Sequence, residues 1–147
     1  MQPGEDKPVS FSFPKKERLC SRLQMEQLLS LKQSVFSYPL KCYFQHLPLS
    51  DENPVSKMAV SVPKKLEKTA VGRNRIKRWV REAYRLNKHL LHNRIGDGSV
   101  VNMLFVCVGK ENLSYVLMEK AMKEIFQKIN GKDDLHTVFT NPETNVV

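Results

Sequence analysis

The feature that most constrains this 147-residue sequence is the segment from Thr69 to Asn93, which has the periodicity of a long amphipathic α-helix. At 100° per residue, with Arg73 taken as zero, its apolar stripe lies between about 220° and 340°. The stripe consists of Ile76, Trp79, Val80, Ala83, Leu86 and Asn87. Thr69 is a favourable N-cap, and Gly96 and Gly98 terminate the segment. Such a helix must bury its stripe against a second layer of structure.

The opposite side of the predicted helix is cationic. The sector from about 0° to 140° contains five cations and one amide, namely Arg73, Asn74, Lys77, Arg78, Arg81 and Arg85. Arg75 lies at the border of this sector, near 200°. We call these seven residues the cationic ridge. Because like charges at this spacing repel one another, the pattern favours an anionic partner that turns the repulsion into attraction.

The net charge of +9 is concentrated around this helix. Residues 64–88 contain ten cations and two acids, whereas the other 122 residues contain 14 cations and 13 acids. A merely solvated helix face normally mixes both signs, but Glu82 is the only acid between Arg73 and Arg85. The distribution therefore favours nucleic acid as the partner. An anionic membrane surface is the main rival, and it is disfavoured because Trp79 is needed in the core.

The rest of the chain predicts one domain of alternating elements. We expect a helix over residues 14–31 and two short strands within 35–47, separated at Pro39. Further strands are expected near 57–63 and 100–109, and a last helix over 114–129. The order α-β-β-β-α-β-α indicates an α+β sandwich with helices packed on a central, roughly four-stranded sheet. Residues 14–130 form the predicted domain, with flexible tails at 1–13 and 131–147.

Several functional classes are disfavoured. The sequence contains no apolar run of membrane-spanning length and begins without a signal-peptide pattern, so a cytoplasmic protein with no membrane partner is expected. The three cysteines, Cys20, Cys42 and Cys107, have no metal-binding or disulfide spacing and are expected in the core. The acidic and histidine residues form no persuasive set for catalysis or metal binding. We therefore predict no catalytic or metal-ligating residue in this chain.

The run AVGRNRIKRWVREAYR at residues 70–85 resembles the arginine-asparagine-arginine signature of the bacterial ribonuclease P protein component. The preceding SVPKK at 61–65 and the early KKERL also resemble that family, and the resemblance spans residues 13–130. It implies a ribosomal protein S5 domain 2-like α+β fold. It also implies a left-handed β-α-β crossover, against the general right-handed preference.

The resemblance further implies the protein subunit of a ribonucleoprotein endoribonuclease that removes the 5′ leader from precursor tRNA. Its expected partners are the catalytic RNA and the single-stranded leader, with no obligatory protein partner evident. The catalytic groups would lie in the RNA, and Mg²⁺ would be bound mainly by the RNA subunit and the substrate. The expected RNA-binding residues are Lys64, Lys65, Arg73, Asn74, Arg75, Lys77, Arg78, Arg81 and Arg85.

A cleft between the first helix and the sheet would hold the leader in this family. The matching residues are Met25, Leu29, Lys41, Tyr43, Ser61 and Pro63. Strand alternation turns Lys41 and Tyr43 to one face, where Tyr43 could stack on a base. Met25 and Leu29 stand where the family often has aromatic residues, which suggests apolar contact with sugar and base edges, although both could instead pack in the core.

Two other functions remain open at this stage. A structural RNA-binding protein of the ribosomal type needs the same cationic ridge but no leader cleft. An autonomous nuclease would cleave RNA without any RNA subunit. Cleavage assays with and without a catalytic RNA distinguish the three.

Overall fold

The structure is a computed structural model that describes residues 12–96 and 98–129. A 3₁₀ turn at Lys15–Glu17 precedes three helices and four strands. The helices are α1 (Arg22–Leu31), α2 (Ala70–Ile95) and α3 (Tyr115–Lys128). The strands are β1 (Ser34–Ser37), β2 (Leu40–Pro48), β3 (Lys57–Ser61) and β4 (Ser99–Cys107). The predicted order of elements is confirmed, as is the α+β class.

The four strands form one mixed sheet in the order β1-β2-β4-β3. The pairs β1/β2 and β2/β4 are antiparallel, whereas β3 and β4 are parallel. A parallel pair needs a long crossover connection, and α2 supplies it between β3 and β4. The handedness of that crossover stays a prediction.

The two faces of the sheet are covered by different helices. Leu40, Cys42 and Phe44 alternate along β2 into the main apolar cluster, which they share with buried residues of α2 and α3. Tyr43 points to the opposite face, where a smaller cluster contains Leu28 of α1. The alternation predicted for β2 is therefore confirmed, and the sheet lies between α1 on one side and α2 with α3 on the other.

The first predicted helix, over residues 14–31, is wrong before Arg22, where the α-helix begins. After the 3₁₀ turn the chain becomes extended, and Arg18 forms a parallel bridge with Met58 of β3. Leu19 is buried, and its amide donates to the carbonyl of Met58 at 2.8 Å. Ser21 then caps α1 by accepting from the Gln24 amide at 3.2 Å. The pairing with β3 and this cap outweigh the helix propensity of the preceding residues.

The segment before α1 also covers one side of α2. Phe13 packs edge-on against Tyr84, with ring centroids 5.7 Å apart, and Glu17 pairs with Lys88 at 2.7 Å. Tyr84 and Lys88 project at about 20° and 60° on the helical wheel, inside the sector predicted to be cationic and exposed. Lys88 is buried because the incoming chain lies over it, and the Tyr84 ring is enclosed between that chain and the core residues Phe105 and Phe126.

This contact corrects the predicted domain boundary. Ser12 and Phe13, assigned to a flexible tail by the pattern, belong to the folded domain: the carbonyl of Ser12 accepts a hydrogen bond from Lys88, and Phe13 packs against the main cluster. The remaining predicted tail residues, 1–11 and 131–147, lie outside the described residues.

The expectation for the cysteines is correct at two positions and wrong at the third. Cys42 and Cys107 are buried, whereas Cys20 is exposed. Cys20 follows the buried Leu19 in extended chain, where successive side chains point in opposite directions. Burial raises the pKa of the Cys42 thiol.

We predict that Glu17→Gln destabilises the fold, because it leaves the Lys88 ammonium, whose side chain is 4% exposed, without its charged partner. The expected loss in the free energy of unfolding is about 3 kcal/mol. Urea unfolding followed by fluorescence of the single tryptophan, Trp79, measures it. The control is Glu26→Gln at an exposed position, which should cost less than about 0.5 kcal/mol. Equal losses in both variants would contradict the importance of the buried pair.

Candidate nucleic-acid interface

The first turn of α2 is held by hydrogen bonds among Glu67, Thr69 and Gly72. The Thr69 hydroxyl accepts from the Gly72 amide at 3.0 Å and donates to the Glu67 carboxylate at 2.8 Å. Hydrogen bonds from Thr69 lower the pKa of Glu67. A Cβ at residue 72 would lie 2.5 Å from that carboxylate, so glycine permits the close approach. The helix therefore starts at a defined point directly after the basic turn at Lys64 and Lys65, both exposed.

The cationic ridge lies along one side of α2, as its spacing predicts. Asn74, Arg75, Arg78 and Arg81 are exposed, while the remaining ridge residues are half-buried. The exposed side is therefore centred near 130° and includes Arg75, which the helical wheel had placed at the border. All nine residues predicted to bind RNA lie on this helix or in the turn that precedes it.

The chain itself engages part of the ridge. Arg85 donates to both carboxylate oxygens of Glu82, with Nη2 to Oε2 at 2.6 Å and Nε to Oε1 at 3.1 Å. These hydrogen bonds lower the pKa of Glu82 and raise that of Arg85. Arg73 donates from Nη1 to the carbonyls of Glu67 and Lys68 at 3.0 and 2.8 Å. The charge of Arg85 is therefore compensated locally, whereas that of Arg73 is held in place but not neutralised.

Trp79 lies at the margin of the core and not at its centre. Its half-buried ring packs against the main cluster, and the Arg75 guanidinium carbon lies 5.9 Å from the ring centroid. Together with Leu86 and Tyr115, Trp79 lines a shallow hollow of about 480 Å³ beside Arg78. The apolar stripe thus faces the core as predicted, but Trp79 at its edge is partly exposed.

The predicted cleft residues lie on the sheet face that α1 partly covers. Met25 and Tyr43 pack against the same small cluster, and the Lys41 Nζ atom lies 5.1 Å from the Tyr43 ring centroid. Lys41 and Ser61 both pair with Val106 of β4, from opposite sides, so they share one row across the sheet. The structure therefore brings Met25, Lys41, Tyr43 and Ser61 to one surface.

The other two predicted cleft residues, Leu29 and Pro63, lie at the borders of this surface. Leu29, one helical turn after Met25, is 44% exposed, and Pro63 is half-buried beyond the end of β3. The alternative that both α1 residues belong to the core holds partly for Met25, which packs on the small cluster, and does not hold for Leu29. Sequence reasoning missed one aromatic residue on this face, Phe36 of β1, which is 48% exposed.

Within the described ranges, no three His, Cys, Asp or Glu side chains come together in a group that could hold a metal ion. In the same ranges, none of the helices combines the length and the apolar character needed to cross a lipid bilayer. Asp97, one of the acidic residues considered at the sequence level, lies outside the described residues.

Comparisons with known proteins identify the family of this chain. The family model described as ribonuclease P matches residues 13–130. The ribonuclease P protein component of Porphyromonas gingivalis strain W83 is 37% identical over 127 residues, covering 84% of this chain and 90% of the relative. That of Desulfosudis oleivorans is 29% identical over 82% of this chain and 91% of its own length.

Solved structures give the same result. The ribonuclease P protein from Thermotoga maritima superposes with a TM-score of 0.57 at 25% identity, covering 78% of this chain and 99% of that one. A mutant Staphylococcus aureus RNase P protein superposes with a TM-score of 0.61 at 19% identity over 78% of this chain and 88% of that chain. These proteins thus share the fold of this chain.

The match over residues 13–130 and the relative of 37% identity show that the chain belongs to the ribonuclease P protein component family. Its function is that of the protein subunit of ribonuclease P, an endoribonuclease of tRNA processing. The resemblance read from the signature is confirmed.

We predict that ridge residues contribute unequally to RNA affinity because Glu82 already compensates Arg85. Arg78→Ala or Arg81→Ala should each flatten the dependence of log affinity on log salt by about one unit. Arg85→Ala should change the slope less, and Glu82→Gln should steepen it by releasing the Arg85 charge. Titration of a bacterial ribonuclease P RNA at several salt concentrations measures these slopes. If Arg85→Ala flattened the slope as much as Arg81→Ala, the local compensation would have no bearing on binding.

Proposed function

We propose that the chain binds the catalytic RNA of ribonuclease P through the cationic ridge and the preceding turn at Lys64 and Lys65. The observation that carries this proposal is the exposure of Asn74, Arg75, Arg78 and Arg81 side by side on a helix whose other side is buried. Guanidinium groups form paired hydrogen bonds with phosphate oxygens, which suits an RNA backbone. Family membership supplies the kind of RNA.

The sheet face beside α1 is the proposed binding surface for the single-stranded 5′ leader of precursor tRNA. Tyr43 offers a ring for base stacking, and Lys41 offers a cation for the neighbouring phosphate. The exposed Ser61 lies on this surface, where its small side chain permits close approach of an RNA backbone, and the exposed Leu29 lies at the border. These features support binding of single-stranded RNA with little dependence on its nucleotide sequence.

The protein's proposed part in the reaction is electrostatic and geometric. Two RNAs repel each other when the leader approaches the catalytic RNA, and fixed cations beside both lower the free energy of that encounter. The catalytic groups belong to the RNA in this proposal. Mg²⁺ is bound mainly by the RNA subunit and the substrate, and it supplies Lewis-acid chemistry there. A lower requirement for Mg²⁺ follows, since protein cations replace part of the screening.

A structural RNA-binding protein of the ribosomal type is the alternative, and it would use the ridge without the sheet face. The placement of Lys41, Tyr43 and Ser61 on one surface favours leader binding over it. We further propose that the chain acts in the cytoplasm and that it needs no other protein partner.

The decisive experiment is reconstitution with a bacterial ribonuclease P RNA and a precursor tRNA at limiting Mg²⁺. The proposal predicts that the chain stimulates removal of the 5′ leader and lowers the Mg²⁺ concentration at half-maximal rate. Binding to the RNA without stimulation would support the structural alternative. Cleavage by the chain alone, with no RNA subunit, would indicate an autonomous nuclease.

We predict that Tyr43→Ala weakens precursor binding by the reconstituted enzyme about fivefold or more, since a stacked base contributes about 1–3 kcal/mol. Affinity for mature tRNA, which lacks the leader, should be unchanged. Tyr43→Phe keeps the ring and is the matched control. Equal weakening for both RNAs, or none for either, would place Tyr43 outside the leader surface.

A further inference from the structure

The orientation of Phe36 is fixed by its neighbours on β1. Val35 packs against the main cluster, and the Ser37 hydroxyl donates to the Glu124 carboxylate of α3. Because strand side chains alternate, Phe36 must point to the opposite face of the sheet. This is the face that carries Lys41 and Tyr43.

The fold makes little use of the Phe36 ring. The side chain is 48% exposed and belongs to neither apolar cluster of the described residues. Tyr38 provides a contrast, since it is 41% exposed but has a structural role: its hydroxyl is bonded to the backbone of Glu111, and its ring lies against Gly109. An exposed ring with no such contacts costs hydration free energy, which an external aromatic partner would recover.

The surroundings of Phe36 suit a polyanion that carries planar rings. Phe36 pairs directly with Lys41 across the two strands, which makes Tyr43 its diagonal neighbour at about 7–8 Å. On the outer side, the Lys128 Nζ atom donates to the Phe36 carbonyl at 2.5 Å and holds a cation at the edge of β1. Two aromatic rings therefore lie in succession on one face, with Lys41 next to both and Lys128 at the edge of β1.

We propose that Phe36 is a second base-stacking residue, which takes the leader nucleotide adjacent to the one stacked on Tyr43. The proposal rests on the leader surface proposed above and extends it to the β1 edge of the sheet. Among the described residues of this face, the Phe36 ring would supply stacking that the aliphatic Met25 and Leu29 on α1 cannot. Stacking of this kind tolerates any base, so the effect depends on leader length and not on sequence.

The test is a series of precursor tRNAs with leaders of increasing length and with single abasic nucleotides, bound to the enzyme reconstituted with a ribonuclease P RNA. In the unmodified chain, affinity should rise in two steps, one as the leader reaches each ring. Phe36→Ala should remove one step, with a loss of about fivefold or more, and Tyr43→Ala the other. Phe36→Ala should also make affinity insensitive to an abasic nucleotide at the position of the step that it removes. Phe36→Trp should restore both. Leu49→Ala, which trims an apolar side chain of equal exposure one residue beyond the end of β2, should change neither.

The outcomes separate this inference from the leader surface itself. If Tyr43→Ala acts on the leader while Phe36→Ala does not, the assignment of Phe36 is overturned and the leader surface stands. If neither variant changes any step, both proposals fail. Self-association is the other use of an exposed edge ring, and light scattering of the free chain detects it. Dimers that Phe36→Ala dissolves, with leader affinity unchanged, would assign the ring to that contact instead.

Discussion

Burial of one side of α2 is the constraint on which the rest of this structure depends. Ile76, Val80, Ala83 and Tyr84 are buried against the sheet and α3, so the helix cannot rotate without exposing them. Burying side chains of this size contributes about 1.5–3 kcal/mol each for the larger ones, far more than the few tenths by which neighbouring cations repel one another. The core therefore holds the cations together on the other side, and the helix presents them as a preorganised surface.

The same helix distributes its cations between internal and external roles. Lys88 is buried with Glu17, and Arg85 is paired with Glu82, so neither contributes its full charge to the surface. Arg75, Arg78 and Arg81 remain exposed. The number of cations in the sequence therefore overstates the positive electrostatic field at the C-terminal end of α2. In the N-terminal half of the helix it describes the field well. The reasons are that the N-terminal segment folds back over Lys88 and that Glu82 pairs with Arg85 within the helix.

Local patterns predicted most of the secondary structure and the direction of the ridge. The cap at Thr69, the alternation along β2 and the apolar stripe of α2 depend on residues close in sequence, and all are found. The errors concern contacts between distant residues. The break before α1 depends on pairing of Arg18 with Met58, and the burial of Lys88 depends on a residue 71 positions away. Phe36 was missed because its neighbours are set by strand register, which the sequence does not specify.

We infer that the position of the charges, and not their number, makes this chain bind RNA. Two triple variants with identical net charge test it directly: Arg75, Arg78 and Arg81 replaced by Glu, or the exposed Lys110, Lys120 and Lys123 replaced by Glu. With folding checked by urea unfolding, the first should lose about a hundredfold or more in affinity for a ribonuclease P RNA at moderate salt, and the second less than about tenfold. Equal losses of affinity in the two variants would contradict this inference.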